Sequence, residues 1–134
     1  MAVRILIAVL ALALVAPAAS APSASTPRAT ILQQVSLFKQ GKWRAMYATY
    51  TSRFRRSCSY TKFVQAQRQV RGILGTNFQL RGIQVRYETG RRAVIAYTFV
   101  RNGQTIGRVT FRNRDVYAKI GSRWYDELDR VSTC

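Results

Sequence analysis

Residues 82–111, GIQVRYETGRRAVIAYTFVRNGQTIGRVTF, decide the fold class. Ile83, Val85 and Tyr87 alternate with Gln84 and Arg86, which is the two-residue period of a strand with one face toward a core. Thr89-Gly90 and Asn102-Gly103 carry turn chemistry on either side of the apolar run from Ala93 to Val100, so the stretch reads as successive antiparallel hairpins. Within that run Ala93, Ile95, Tyr97 and Phe99 point one way, and Val94, Ala96, Thr98 and Val100 the other. A strand apolar on both faces is expected to be covered on both, by helices and a neighbouring sheet surface or by another subunit. The next strand sets Gly107, Val109 and Phe111 against Ile106, Arg108, Thr110 and Arg112. Val116, Ala118 and Ile120 make a fourth strand face with Tyr117 opposite, and Gly121-Ser122 turns into Trp124 and Tyr125. Upstream, Phe78 and Leu80 begin an extended segment in which Gly82 marks a bulge or a break.

The segment before the sheet reads as helix. Thr30 is placed to cap a first helix whose apolar positions Ile31, Val35 and Phe38 fall at helical spacing, and Gly41 ends it. Trp43, Met46, Tyr47 and Tyr50 recur at three and four residues, which sets them on one face of a second helix. After a loop holding Phe54 between Arg53 and the Arg55-Arg56 pair, Ser59 is a good cap for a third helix. Phe63, Ala66, Val70 and Leu74 form its buried side, and Gly72 and Gly75 weaken and then stop it. Helices followed by four or five antiparallel strands define an α+β domain with helices on one side of a curved sheet.

The chain has 134 residues, two cysteines, no histidine and a formal charge of +17, which bounds it to one small domain. Arg4, the apolar run from Ile5 to Ala16 and the small residues around Ala16-Pro17-Ala18 or Ala19-Ser20-Ala21 have the organisation of a signal peptide over residues 1–21. The run falls short of the roughly 20 residues that span a bilayer, so no permanent transmembrane segment is expected. Residues 22–29, rich in Ala, Ser, Pro and Thr, read as a flexible leader, and 30–134 as the domain. The expected location is secreted, periplasmic or associated with the cell envelope. In an oxidising compartment Cys58 and Cys134 can close a long loop; the alternative is two unpaired thiols. Neither has a histidine to act as its base, and two cysteines without histidine cannot fill a tetrahedral zinc shell, so no catalytic cysteine, metal or cofactor is expected.

The order of elements also carries a resemblance. Trp43 with Tyr47, a loop ending at Cys58, Phe63 in the next helix, and strands ending in Gly121, Trp124 and Tyr125 resemble the nuclear transport factor 2-like superfamily. That cone fold is shared with ketosteroid isomerases and polyketide cyclases, and the closest likeness is to its small exported bacterial branch. The similarity runs over most of residues 30–130; a cystatin-like arrangement of helix and sheet is the nearest rival. The resemblance implies a pocket between helices and sheet, for which Tyr47, Phe63, Tyr97, Tyr117 and Trp124 are the ligand-binding candidates, and a possible homodimer through the sheet. It does not imply catalysis, because family enzymes use an Asp, alone or with a His, and this chain has no His.

The only acids are Glu88, Asp115, Asp126, Glu127 and Asp129. None falls in the helical half, although a partly buried Asp126 or Glu127 could serve as a base, with Tyr47, Tyr97 or Tyr117 donating to an oxyanion. Loss of Arg4 with the signal leaves 21 basic residues against 5 acidic, a formal +16. Such a domain is attracted to phosphate, acidic glycans or an anionic surface. Arg53, Arg55 and Arg56 are the densest run, read either as a solvated loop or as an anion-binding rim. The expected function is therefore noncatalytic binding of an anionic surface, glycan or small molecule. The alternatives are a lyase- or isomerase-type enzyme and nonspecific nucleic-acid binding; the latter rests on charge alone, since no nucleic-acid-binding motif accompanies it.

Overall fold

The computed structural model describes residues 24–128 and Cys134; the signal peptide expected over 1–21 lies outside the described residues. Four helices, α1 (Pro27–Gln40), α2 (Trp43–Tyr47), α3 (Ser52–Ser57) and α4 (Tyr60–Leu74), precede five strands. These are β1 (Gln79–Thr89), β2 (Arg92–Arg101), β3 (Gln104–Val109), β4 (Asp115–Ile120) and β5 (Arg123–Leu128). The helices pack against one open antiparallel sheet in the order β1-β2-β4-β5, with β3 also paired to β2. No helix among the described residues is long and apolar enough to cross a membrane.

The helix starts follow from their caps. Thr26, and not Thr30, begins α1: its hydroxyl accepts from Ala29 N at 3.0 Å and Pro27 takes the first turn, where a missing N–H costs nothing. Thr30 is fully buried instead and donates to Trp124 O at 3.0 Å. Residues 24–29 of the expected leader are part of the fold, because Ala24 is buried and its carbonyl accepts from Trp124 N at 3.0 Å. At the far end Gly41 adopts φ 68°, a conformation that calls for glycine; an added Cβ would also lie 2.9 Å from Nη1 of Arg71 and displace the end of that side chain. The second helix ends at Tyr47, so Tyr50 does not share its face; Tyr50 forms a parallel bridge with Asp126. Residues 52–57 form α3 rather than a loop, capped by Thr51, whose hydroxyl accepts from Phe54 N at 3.1 Å. Ser59 caps α4 as its sequence position predicts.

Gly82 sits at φ 61° within a register shift between Arg81 and Gln84, which makes it a bulge. The alternation along β2 is retained: Ala93, Ile95 and Tyr97 join Ile31 of α1 in one buried cluster. A second cluster gathers Phe38, Met46, Tyr50, Phe54, Phe63 and Phe78 among the helices.

β3 and β4 occupy the same edge of β2. Val109 pairs with Tyr97 and Asp115 with Ile95, so residues 110–114 stand where a single partner of Ala96 would fit. Phe111 therefore leaves the strand in which the alternation placed it and enters a 3-10 turn, Phe111–Asn113, closed by Arg114 at φ 54°. The excursion reaches across the face of β2 turned away from the helices. Arg86 of β1 lies 4.5 Å over the Phe111 ring, and Arg114 pairs with Glu88 at 3.0 Å. Val94 and Val116 on that face are buried at 0% and 2% exposure. The outward apolar side of β2 is thus covered by its own chain, and burial of that side does not call for the homodimer expected through the sheet.

A candidate site between the helices and the sheet

Strand periodicity builds the polar interior. Asp115 and Tyr117, two residues apart on β4, face the same way. Tyr117 pairs with Ala93 of β2 on one side and Asp126 of β5 on the other, and Asp115 pairs with Ile95, whose side chain belongs to the buried cluster. All three are inside, with Asp115 at 1%, Tyr117 at 1% and Asp126 at 2% exposure. The excursion before Asp115 delivers this carboxylate to the interior: continuing β3 without a break would place Thr110 opposite Ala96.

The hydroxyl of Tyr97 donates to Asp115 Oδ2 at 3.0 Å. That of Tyr117 donates to Gln34 Oε1 at 2.9 Å, and the Gln34 amide nitrogen donates to Asp126 Oδ2 at 3.2 Å and Thr49 Oγ1 at 2.9 Å. The Thr49 hydroxyl donates in turn to Met46 O at 2.6 Å, which closes the chain of donors on a helix end. Backbone bonds hold Asp126 in place, since its N donates to Thr49 O at 2.9 Å and its O accepts from Thr51 N at 2.8 Å. Burial first, then the nearby Asp115 and Asp126 and the tyrosines Tyr97 and Tyr50, push the Tyr117 phenol well above its ordinary 10.0. Tyr117 is therefore a neutral donor at every physiological pH.

Gln34, Tyr97, Asp115, Tyr117 and Asp126 border a cavity of about 60 Å³ whose other walls include Ile31, Phe38, Gln67, Phe78 and Phe99; among the described residues no lysine or arginine lines it. That volume corresponds to about two water molecules. No group of three or more potential metal ligands occurs among the described residues.

Of the five aromatic residues expected to line a pocket, the cavity brings together Tyr97 and Tyr117. Tyr47 serves the helices: its hydroxyl donates to Cys58 O at 2.6 Å, and its ring lies 5.1 Å from Phe63. Phe63 is buried at 1% in the helical cluster, and Trp124 packs against Tyr87 at 5.7 Å, so neither lines the cavity. Asp115, Gln34 and Thr49 are members that the sequence reading missed. Asp115 was legible from its parity with Tyr117, whereas Gln34 carries no local mark of an inward polar residue.

Arg53, Arg55 and Arg56 lie on α3, away from the cavity lining. Arg53 is exposed and pairs with Glu127 at 3.7 Å, while Arg55 and Arg56 sit in the last turn, where positive charge suits the helix dipole. Cys58 caps α3 and is placed at disulfide distance from Cys134, with Cα atoms 5.5 Å apart, which fits an extracytoplasmic location. No protein-family model and no curated protein matches the chain, so the functional reading below rests on its geometry.

Proposed function

We propose that the chain is an exported, noncatalytic binding domain of the nuclear transport factor 2-like cone type whose exterior contacts an anionic partner. The observation that carries this reading is where the acids go. Asp115 and Asp126 are buried. Glu88 is held by Arg92 at 3.6 Å and Arg114 at 3.0 Å, and Glu127 by Arg53 at 3.7 Å and Arg92 at 3.2 Å. Such exposed pairs add little stability, but they neutralise the acids that would otherwise interrupt the basic surface. Arg81, Arg86, Arg108 and Arg112 remain exposed, on or beside the sheet. A field of one sign draws polyanions in and weakens as salt screens it.

The experiment is retention of the oxidised chain on phosphatidylglycerol-containing vesicles and on a sulfated resin across about 0.05 to 0.5 M salt. Release with rising salt is expected, and retention that does not change across the series would refute the reading. A nucleic acid of matched charge density is expected to bind no more tightly than the resin.

A second reading is favoured by one specific contact, the Tyr97 hydroxyl on the buried Asp115 carboxylate. A lyase- or isomerase-type site needs a desolvated carboxylate as base and a neutral phenol to meet a developing oxyanion, and Asp115 or Asp126 with Tyr117 has that chemistry. Ligand pockets usually measure about 300–1,000 Å³, so a substrate of this cavity is a small fragment or one that widens it. Deuterium exchange at the carbon beside the carbonyl of small ketones tests it; exchange no faster than with the double variant Asp115→Asn and Asp126→Asn rules it out.

A further inference from the structure

The helical layer holds a second concavity that the interior network does not use. Between α2 and α4 runs a shallow, open groove of about 650 Å³. Trp43, Tyr60 and Val64, each half-buried, supply its apolar surface. The α4 side is completed by Thr61, Gln65, Arg68 and Gln69, all exposed and recurring at the spacing of one helix face. Phe63 and Gln67 on the opposite face of α4 are buried, so the helix has its core side already occupied.

The chemistry of this face is unusual for so basic a chain. Among 22 Lys and Arg residues, the exposed groove side carries two amides and a hydroxyl with a single guanidinium. Each amide offers a donor and an acceptor together, which matches the hydroxyl groups of a sugar, themselves donors and acceptors. An indole and a phenol beside them suit the C–H face of a sugar ring. The Arg44 guanidinium lies 3.8 Å over Tyr60 and covers one side of that ring. Arg71, although 5.7 Å from Trp43, is committed to Lys39 O at 3.0 Å. Arg44 and Arg68 enter no ion pair among the described residues.

We propose that the α2–α4 groove is a saccharide site that takes an acidic sugar, with Trp43 under the ring, Gln65 and Gln69 on its hydroxyls and Arg68 on its carboxylate. For the ligand's charge the inference rests on the anionic-partner reading above; for its place and its sugar chemistry it does not.

The test is an NMR titration of the oxidised chain with digalacturonate, with the neutral disaccharide lactose and with adenosine monophosphate. Saturable shifts are expected at the Trp43 indole N–H and the Gln65 and Gln69 side-chain amides, with lactose about tenfold weaker than digalacturonate. Arg68→Gln is expected to remove that preference, and Gln65→Ala to weaken both sugars about fivefold. Both positions are exposed, so an unchanged thermal midpoint verifies the fold of each variant. No saturable shift at these groups by about 10 mM digalacturonate, equal affinity for the two sugars, or tighter binding of the nucleotide overturns the proposal. Salt-dependent retention on anionic vesicles without sugar binding would sink this inference alone, and binding of digalacturonate without such retention would confine the anionic contact to this groove and sink the reading of the wider basic surface alone.

Discussion

Replacing Tyr117 with phenylalanine removes one buried oxygen and keeps the ring. The hydroxyl donates to Gln34 Oε1 at 2.9 Å where both residues are buried, so the variant leaves that carbonyl without this donor at a cost of about 1–3 kcal/mol. Taking about 2 kcal/mol, the thermal midpoint at neutral pH falls by about 8 °C for a domain of this size. The pH dependence is the sharper test. The native pKa of Tyr117 is raised above the ordinary 10.0, so its contribution to stability is complete below that pH and is lost as pH rises above it, where the unfolded chain releases the proton and the native chain keeps it. Wild type then loses about 1.4 kcal/mol per pH unit that Tyr117→Phe does not lose. The stability gap between the two proteins should therefore narrow as pH rises past 10. Urea unfolding followed by near-ultraviolet circular dichroism at about pH 7, 9 and 11 measures it. A gap that is constant over this range, or seven tyrosines that all ionise together near their ordinary value in the native protein, would refute the buried-phenol account.

Other perturbations read other parts of the structure. Cys58 and Cys134 are 76 residues apart, and closing a loop of that length stabilises by about 4 to 5 kcal/mol on the chain-entropy account. Reduction or Cys134→Ser should lower the urea midpoint accordingly, and an unchanged midpoint would mean the bond does not form. Gly41→Ala forces a side chain into φ 68° and against Arg71, so a loss of about 1–2 kcal/mol is expected. In the double variant with Arg71→Ala the steric part should vanish while the backbone part persists. Thr26→Ala should cost about 1 kcal/mol as a lost cap, whereas a loss at Thr30 well above that identifies the buried bond to Trp124 O.

The legible parts of this molecule are those fixed by near neighbours. Alternation from Ile83 to Val100 gives two strands with their faces assigned, and Asn102-Gly103 gives the second turn. The first turn falls at Gly90-Arg91, one residue beyond the expected Thr89-Gly90, and Gly82 is the bulge of the two options it offered. Short elements escape that logic. The α3 segment has one buried apolar side chain, Phe54, among arginines and serines, so no stripe announces a helix. Alternation through Gly107, Val109 and Phe111 reads as one strand although the chain departs after Val109, because the departure is stabilised by Arg86 and Glu88 on another strand. In the candidate site, parity sets Tyr97 with Ala93 and Ile95, but on β4 it only sets Tyr117 opposite Val116, Ala118 and Ile120; pairing with β2 decides that the face of Tyr117 and Asp115 is the inward one and leaves Ile120 exposed.

By itself the sequence determined the class of fold, the basic exterior and the alternation of faces, since these depend on side-chain period and on charge count. Only the tertiary structure decided that two carboxylates stay inside. The desolvation they suffer is offset by groups brought from far along the chain, as Gln34 is brought to Asp126 across 92 residues while it also meets Tyr117. No local pattern encodes such a meeting, because a glutamine on a helix looks the same to its neighbours whether it meets water or a buried phenol.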